Sequence, residues 1–186
     1  MKSIGVYCGS SAGENPVYAA AAKTVGTLLA QKKITLVYGG GNVGLMGCIA
    51  DAALQHQGKV IGIIPKFLQE REVAHGSLDE LIVYETMHER KLRMFELSEG
   101  FLALPGGFGT MDELFEILTW GQLSIHQHPI ALLNVNGYYD HFLSLLDQMV
   151  QEKFVSPNNR VMLIVDTDPA TILDKMQKYQ MAQTEK

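Results

Sequence analysis

The sequence predicts a doubly wound, Rossmann-like α/β fold, in which a mainly parallel sheet of about seven strands carries helices on both faces. Seven short apolar runs recur along the chain, and most are nearly continuous, as in strands that are covered on both faces. Segments that can form helices lie between these runs. Because alternating strands and helices build parallel sheets, the whole chain fits this fold class.

The apolar runs define the strands, and the intervening segments define the helices. The predicted strands are Ile4–Cys8, Ile34–Tyr38, Val60–Ile64, Leu81–Tyr84, Phe101–Leu104, Ile130–Leu133 and Val161–Val165. The predicted helices span residues 16–31, 44–57, 87–98, 111–124, 138–152 and 169–180. The stretch Lys66–Asp79 fits neither pattern, and we expect a functional loop there.

Composition limits the classes of function. The 186 residues are expected to form one domain, residues 1–186, with a tail that frays from about residue 180. Lys and Arg number 15 and Asp and Glu 20, and a net charge of -5 argues against nucleic acid or an anionic membrane as partner. Two cysteines and the lack of a signal-peptide core indicate a cytoplasmic protein. We expect no metal ion, because no ligand cluster is evident.

Glycine clusters follow the first, second and fifth predicted strands. They begin at Gly9-Ser10, at Gly39 and at Pro105. Ligands of open α/β sheets bind beyond the carboxyl ends of the strands, where glycine lets the backbone approach a ligand and the next helix offers free N–H groups. A single such loop is equally well explained as a tight turn, but three of them favour a phosphate site. Phosphate contacts are therefore predicted at Gly9, Ser10, Gly40 and Gly41.

The second loop matches the G-x-G-x-x-G pattern through Gly39, Gly41 and Gly44. A dinucleotide site would also need an acidic residue about 20 residues later, at the end of the next strand. That region reads Ile64-Pro65-Lys66, so an NAD site is disfavoured. The chain also has no Walker sequence. A mononucleotide or a sugar phosphate fits better.

Two charged segments stand near these loops. Arg90 and Lys91 lie at the start of the third predicted helix, after the fourth strand, where they would be about 100° apart, and an ordinary solvated charge cluster is the alternative. Thr110 and Glu113 match a capping box, with Thr110 as the N-cap and Glu113 at the third helical position. An ionised carboxylate beside a phosphate loop could also stabilise positive charge at a reacting sugar carbon. The capping role and the catalytic role can coexist.

These motifs together resemble the LOG ("lonely guy") family of phosphoribohydrolases. The family signature P-G-G-x-G-T-x-x-E stands intact from Pro105 to Glu113, and the M-x-x-R-K element is Met87, Arg90 and Lys91. The segments VYCGSS and GGGNVGLMG, which contain the first two glycine loops, also look like the family. The resemblance extends to about residue 180.

The resemblance implies an N-glycosyl hydrolase that releases a free base and ribose 5-phosphate from a nucleoside 5'-monophosphate, either a cytokinin riboside monophosphate or AMP. It makes Arg90 and Glu113 the catalytic pair. The substrate contacts it implies are Glu72, Arg90, Lys91, Gly106, Gly107, Phe108, Gly109, Thr110, Met111, Asp112, Glu113 and Thr119. It further implies a homodimer that uses no cofactor.

Two alternative functions have less support from the residues. The same loops would serve a non-catalytic nucleotide carrier or sensor, although such a protein has no need of both Arg90 and Glu113. Some relatives have carried the label lysine decarboxylase, a chemistry that needs a lysine bound to pyridoxal phosphate. Lys91 is the one lysine within the motif, and a contact to the substrate phosphate suits it better.

Overall fold

The computed structural model describes residues 1–69 and 74–184 and shows a seven-stranded sheet in which every pair of neighbouring strands is parallel. The strands are β1 (Ser3–Tyr7), β2 (Thr35–Tyr38), β3 (Val60–Pro65), β4 (Glu80–Tyr84), β5 (Phe101–Ala103), β6 (Ile130–Leu133) and β7 (Leu163–Asp166). Their order across the sheet is β4-β3-β2-β1-β5-β6-β7. The predicted fold class is confirmed.

Helices follow the strands in the alternation that the sequence predicts. They are α1 (Pro16–Gln31), α2 (Gly44–Gln55), α3 (Lys66–Gln69), α4 (Met87–Glu96), α5 (Phe108–Gln122), α6 (Asp140–Gln151), α7 (Pro157–Arg160) and α8 (Pro169–Thr184), with a short 3-10 turn at Val135–Gly137. None of the helices in the described ranges is long and apolar enough to cross a membrane.

Each face of the sheet has its own hydrophobic core, and successive strand residues serve the two faces in turn. In β2, Leu36 and Tyr38 belong to the core under α1, α2 and α8, whereas Val37 belongs to the core under α4, α5 and α6. In β5 and the residue after it, Leu102 and Leu104 face the first core. This division explains why the strand sequences are apolar at almost every position.

The strand order reverses between β1 and β5. The chain first builds β1 to β4 outward on one side, and then returns to add β5, β6 and β7 on the other. The helices that follow β1 and β5, α1 and α5, therefore pack on opposite faces of the sheet, and a crevice forms at its carboxyl edge, which is where open α/β sheets bind their ligands.

The elements that differ from the sequence prediction are few. The short helices α3 and α7 were not expected, and α3 occupies the start of the unassigned stretch 66–79. The helix α5 begins at Phe108, three residues before the predicted start. The last helix continues to Thr184, four residues past its predicted end at residue 180. Residues 70–73, within the expected functional loop, lie outside the described residues.

Candidate active site

A buried ion pair joins α4 to α5 beside the crevice. The Nη1 group of Arg90 donates a hydrogen bond to Oε1 of Glu113. Both residues are less than a tenth exposed, at 7% and 8% respectively. Burial raises the pKa of the Glu113 carboxyl, and the positive charge of Arg90 opposes that rise. Arg90 therefore stabilises the ionised form of Glu113 at a buried position, where little solvent is present to stabilise the charge.

The α4 helix holds Arg90 through a capping box at its first turn. Thr86 accepts a hydrogen bond from the Glu89 amide through its side chain, and Glu89 accepts one from the Thr86 amide. Arg90 follows directly, and its Nε donates to the Ile63 carbonyl at the end of β3, at 3.1 Å. The guanidinium is thus fixed from three sides, by its own helix, by the sheet and by Glu113.

Glycine at position 39 makes room for the guanidinium. A Cβ at Gly39 would lie 2.5 Å from Nη2 of Arg90 and 2.9 Å from Sδ of Met46. Gly44 has φ +62°, and a Cβ there would lie 2.3 Å from the Ser10 carbonyl carbon. These two glycines of the G-x-G-x-x-G pattern are needed because parts of the protein approach closely, so the pattern does not by itself report a ligand.

Lys91 turns away from Arg90, as the predicted 100° separation requires. Its Nζ donates to Glu116 at 3.0 Å and to Asp112 at 3.2 Å. Burial alone would lower the pKa of Lys91, but the hydrogen bonds and charges of these two carboxylates raise it above its ordinary value. The ammonium group is therefore held in its charged form by α5, and it forms a second link between the two helices.

The predicted capping box at Thr110 and Glu113 is wrong. The N-cap of α5 is Gly107, which is extended (φ -95°, ψ -152°), and none of the described side chains caps the helix. Thr110 therefore lies at the third helical position, where it is buried against Gly106. The consecutive glycines let the chain enter the helix three residues early. That shift puts Glu113 on the buried face of the second turn, opposite Arg90.

Two adjoining cavities lie at the crevice. The first, of about 220 Å³, contains Arg90 and Glu113 and is also lined by Cys8, Gly9, Ser10, Met46, Leu68, Met87, Gly107, Phe108, Gly109, Thr110 and Asp112. The second, of about 280 Å³, is lined by Gly9, Ser10, Ser11, Ala12, Gly13, Tyr18, Leu45, Pro105, Gly106, Gly107 and Tyr138. The two share three residues, so one ligand can span both.

The structure brings most of the predicted site residues to these cavities, but not all of them. Gly40 and Gly41 line neither cavity; the Gly40 carbonyl instead accepts a hydrogen bond from the His75 amide, and Gly41 pairs with Ala74. Lys91 and Met111 also line neither cavity. Glu72 lies outside the described residues.

Thr119 lies further along α5 than Glu113 and is not close to the ion pair. Its hydroxyl donates to the Phe115 carbonyl at 2.7 Å, and its side chain lines a different groove of about 150 Å³. It lies six positions after Glu113 in the helix, a rise of about 9 Å. Within this chain, Thr119 does not reach the cavity that contains Arg90.

Several cavity residues escaped the sequence reasoning. Met46 and Leu68 form part of the apolar wall of the first cavity, and Tyr18 and Tyr138 line the second. The sequence contains no signal for the first two, because an apolar side chain near a strand end is most often core. A glycine-containing turn before Tyr138 could have drawn attention to that residue.

Two comparisons with known proteins show the family of this chain. The model of a family described as "Possible lysine decarboxylase" matches residues 46–176. A cytokinin riboside 5'-monophosphate phosphoribohydrolase of Arabidopsis thaliana, LOG1, is 45% identical over 179 residues, which are 96% of this chain and 84% of the relative. A rice protein described as a probable enzyme of the same kind, LOGL6, is 44% identical over 96% of this chain and 72% of the relative.

The chain belongs to the LOG family. Among solved structures, the Moco carrier protein of Chlamydomonas reinhardtii matches with a TM-score of 0.72, over 97% of this chain and 98% of that one. Its sequence identity is 20%, so this likeness concerns the fold alone. Within residues 1–69 and 74–184, no three His, Cys, Asp or Glu side chains come together in a way that could hold a metal ion.

The ion pair of this LOG-family chain predicts a stability effect that a helix cap would not produce. Glu113→Gln leaves Arg90 buried without a counter-charge, and we expect it to lower the free energy of unfolding by about 3 kcal/mol. Glu116→Gln, one turn along α5, is the matched control. Lys91 keeps Asp112 in that variant, so the loss should stay within about 1 kcal/mol. Chemical denaturation measures both, and equal losses would contradict the prediction.

Proposed function

We propose that this protein hydrolyses the N-glycosidic bond of a nucleoside 5'-monophosphate and releases a free base and ribose 5-phosphate. The observation that carries the proposal is the buried Arg90–Glu113 pair, which faces a cavity formed by the intact P-G-G-x-G-T-x-x-E segment. Its relatives are described as enzymes of this reaction with cytokinin riboside 5'-monophosphates as substrates. Prenylated and unmodified adenine nucleotides are the substrates to test first.

Glu113 supplies the negative charge that the reaction needs. Cleavage of an N-glycoside develops positive charge at C1' of the ribose, as cleavage of an O-glycoside does. Glu113 lines the first cavity, and among the described residues only its Oε1 accepts a hydrogen bond, which leaves Oε2 without a donor there. In that low-dielectric position the carboxylate stabilises the developing charge, or orients the attacking water, without reorganising during the reaction.

Arg90 has a positioning role and an electrostatic role. Its hydrogen bonds to Glu113 and to the Ile63 carbonyl hold the carboxylate in one orientation. Its charge also opposes protonation of Glu113, which burial would otherwise favour. A lysine at this position would keep the charge but could not make both bonds with one planar group.

The glycine loops suit the 5'-phosphate, and the apolar wall suits the base. The cavities meet at Gly9, Ser10 and Gly107, next to the uncapped start of α5, where backbone N–H groups favour an anion. Met87 and Leu68 lie at the first cavity, as an apolar surface for a base would. We therefore propose that the phosphate binds at the shared rim and the base beside these apolar side chains.

The residues do not fit the chemistry named in the description of the family model. A lysine decarboxylase would need a neutral lysine that condenses with pyridoxal phosphate. Lys91, the lysine of the motif, has a raised pKa, and its Nζ is engaged by Asp112 and Glu116. It does not line either cavity of the crevice. These contacts argue against a decarboxylase reaction at Lys91.

We also propose a homodimer in which the exposed faces of α4 and α5 and the residues just after α5 lie near the interface. Leu92 on α4 and Phe115 on α5 are exposed, as are Leu123 and Ile125 just beyond α5. A partner at this face would cover them and could bring a residue such as Thr119 to the neighbouring site. Light scattering at micromolar concentration should give about twice the mass of the chain, and a monomer mass would contradict the dimer.

The proposed phosphate subsite predicts a strong requirement for the 5'-phosphate. Binding energy from a group that does not react can hold C1' against the carboxylate, so its loss lowers turnover as well as affinity. With AMP and isopentenyladenosine monophosphate, chromatography should detect the free base and ribose 5-phosphate. The unphosphorylated ribosides should react at least roughly 100-fold more slowly. Equal rates for the monophosphates and the ribosides would contradict the proposal. Binding of the monophosphates without release of products would favour a carrier or sensor.

The carboxylate role predicts the kinetic effect of Glu113→Gln. Turnover should fall on the order of 100-fold or more, the scale for one preorganised electrostatic group, while the affinity for the monophosphate changes much less. Glu116→Gln again serves as the control, and its turnover should stay near the unsubstituted rate. The assay is run below the melting temperature of each variant. Near-normal turnover of folded Glu113→Gln would remove this residue from the mechanism.

A further inference from the structure

Three successive carbonyl groups before α5 each accept a hydrogen bond from a different part of the protein. The Leu104 carbonyl accepts from the Tyr139 hydroxyl at 2.7 Å, and the Pro105 carbonyl accepts from the Gly9 amide at 3.0 Å. The Gly106 carbonyl accepts from the Tyr138 hydroxyl at 2.6 Å. The whole entry into the P-G-G segment is therefore fixed through its backbone oxygens.

The two tyrosines come from one rigid turn after β6. Asn136 and Gly137 both have positive φ, +53° and +69°, which turns the chain back toward the crevice. The side chain of Asn134 fastens this turn, because its Oδ1 accepts from the Tyr139 amide at 2.8 Å and its Nδ2 donates to Asp140 at 2.7 Å. The turn thus presents adjacent hydroxyl groups to alternate carbonyls of the loop.

The two tyrosines differ in their surroundings. Tyr139 is 2% exposed and lies in the hydrophobic core. Tyr138 is 44% exposed, and its ring lines the second cavity next to the ring of Tyr18, with centroids 5.6 Å apart. Because its ring is half-exposed at a cavity wall, Tyr138 contributes less to the packing of the hydrophobic core than Tyr139 does. Core packing therefore does not account for the hydrogen bond from the Tyr138 hydroxyl to the Gly106 carbonyl.

The bond to Gly106 determines where the next amide points. In a trans peptide the carbonyl of one residue and the N–H of the following residue point in opposite directions, and the structure contains no cis peptide among the described residues. When Tyr138 holds the Gly106 carbonyl, the Gly107 N–H is directed away from Tyr138. Gly107 lines both cavities, and its N–H has no hydrogen-bond acceptor among the described residues.

We propose that Tyr138 is a positioning residue that locks the Gly106–Gly107 peptide, so that the Gly107 N–H stays available to the phosphate of the substrate. Glycine on both sides of this peptide makes it easy to rotate, and a rotated peptide would present a carbonyl oxygen to an anion instead of an N–H. The proposal rests on the proposed function for the identity of the ligand. It adds a residue that lies outside both sequence motifs.

Tyr138→Phe tests the lock, because it removes the hydroxyl and keeps the ring. Calorimetric titration with ribose 5-phosphate should show a dissociation constant raised about five- to tenfold, the scale for one net hydrogen bond. The dissociation constant of free adenine, which has no phosphate, should remain unchanged. In turnover assays the KM for the monophosphate should rise while kcat changes less.

Tyr139→Phe is the matched comparison, since it removes the adjacent hydroxyl from a carbonyl of the same loop. It should lower the melting temperature and leave the affinity ratio of ribose 5-phosphate to adenine at its original value. An unchanged ratio in Tyr138→Phe would overturn the proposal, as would an equal shift of the ratio in both variants.

The titration also separates this proposal from the proposed function. If the unsubstituted protein binds ribose 5-phosphate and AMP but releases no base, the hydrolase assignment fails. The role of Tyr138 is still tested in that case, because the affinity of Tyr138→Phe for ribose 5-phosphate can be compared with that of the unsubstituted protein. If the unsubstituted protein releases the base and Tyr138→Phe binds ribose 5-phosphate as tightly as before, the lock fails and the hydrolase assignment stands.

Discussion

A charged side chain that is buried must have a partner, and this requirement governs the arrangement around Arg90 and Glu113. Each is less than a tenth exposed, so either of them alone would carry a large desolvation cost. Because one comes from α4 and the other from α5, the pair fixes these helices against each other on one face of the sheet. The second link, from Lys91 to Asp112 and Glu116, acts between the same helices but is more exposed.

The surrounding backbone is adapted to this pair. The Ile63 carbonyl accepts from the guanidinium, and Gly39 has no side chain to compete for its space. The crevice lies where the strand order reverses, and it is lined by the Glu113 carboxylate, one oxygen of which is hydrogen-bonded to Arg90. The backbone of Gly9, Ser10 and Gly107 lines it as well. A buried pair is weak evidence for stability in itself, because apolar residues of similar size would often serve as well or better. The presence of two buried charges at the cavity therefore favours a chemical role.

The sequence allowed the fold to be predicted almost completely, because continuous apolar runs have a direct physical meaning in a sheet with two cores. The pairing of Arg90 with Glu113 became an expectation only through the family resemblance. Local rules failed at Thr110, whose capping pattern was overridden when Gly106 and Gly107 allowed α5 to start earlier. They also failed at Gly40, which contacts His75 and not the cavity. The first error comes from the flexibility of the glycines just before Thr110, and the second comes from a tertiary contact that the spacing of residues along the chain does not encode.

The buried pair fixes α4 against α5, but apolar residues of similar size would also hold these helices together, and we propose that the two charges serve the reaction. The double substitution Arg90→Met with Glu113→Gln tests this proposal most directly, because it removes both charges and so avoids the unpaired arginine of the single variant. We predict that unfolding free energy recovers at least part of the loss seen in Glu113→Gln, while turnover of the monophosphate stays on the order of 100-fold or more below the unsubstituted protein. A double variant that folds and cleaves the monophosphate within about tenfold of the unsubstituted rate would contradict the account.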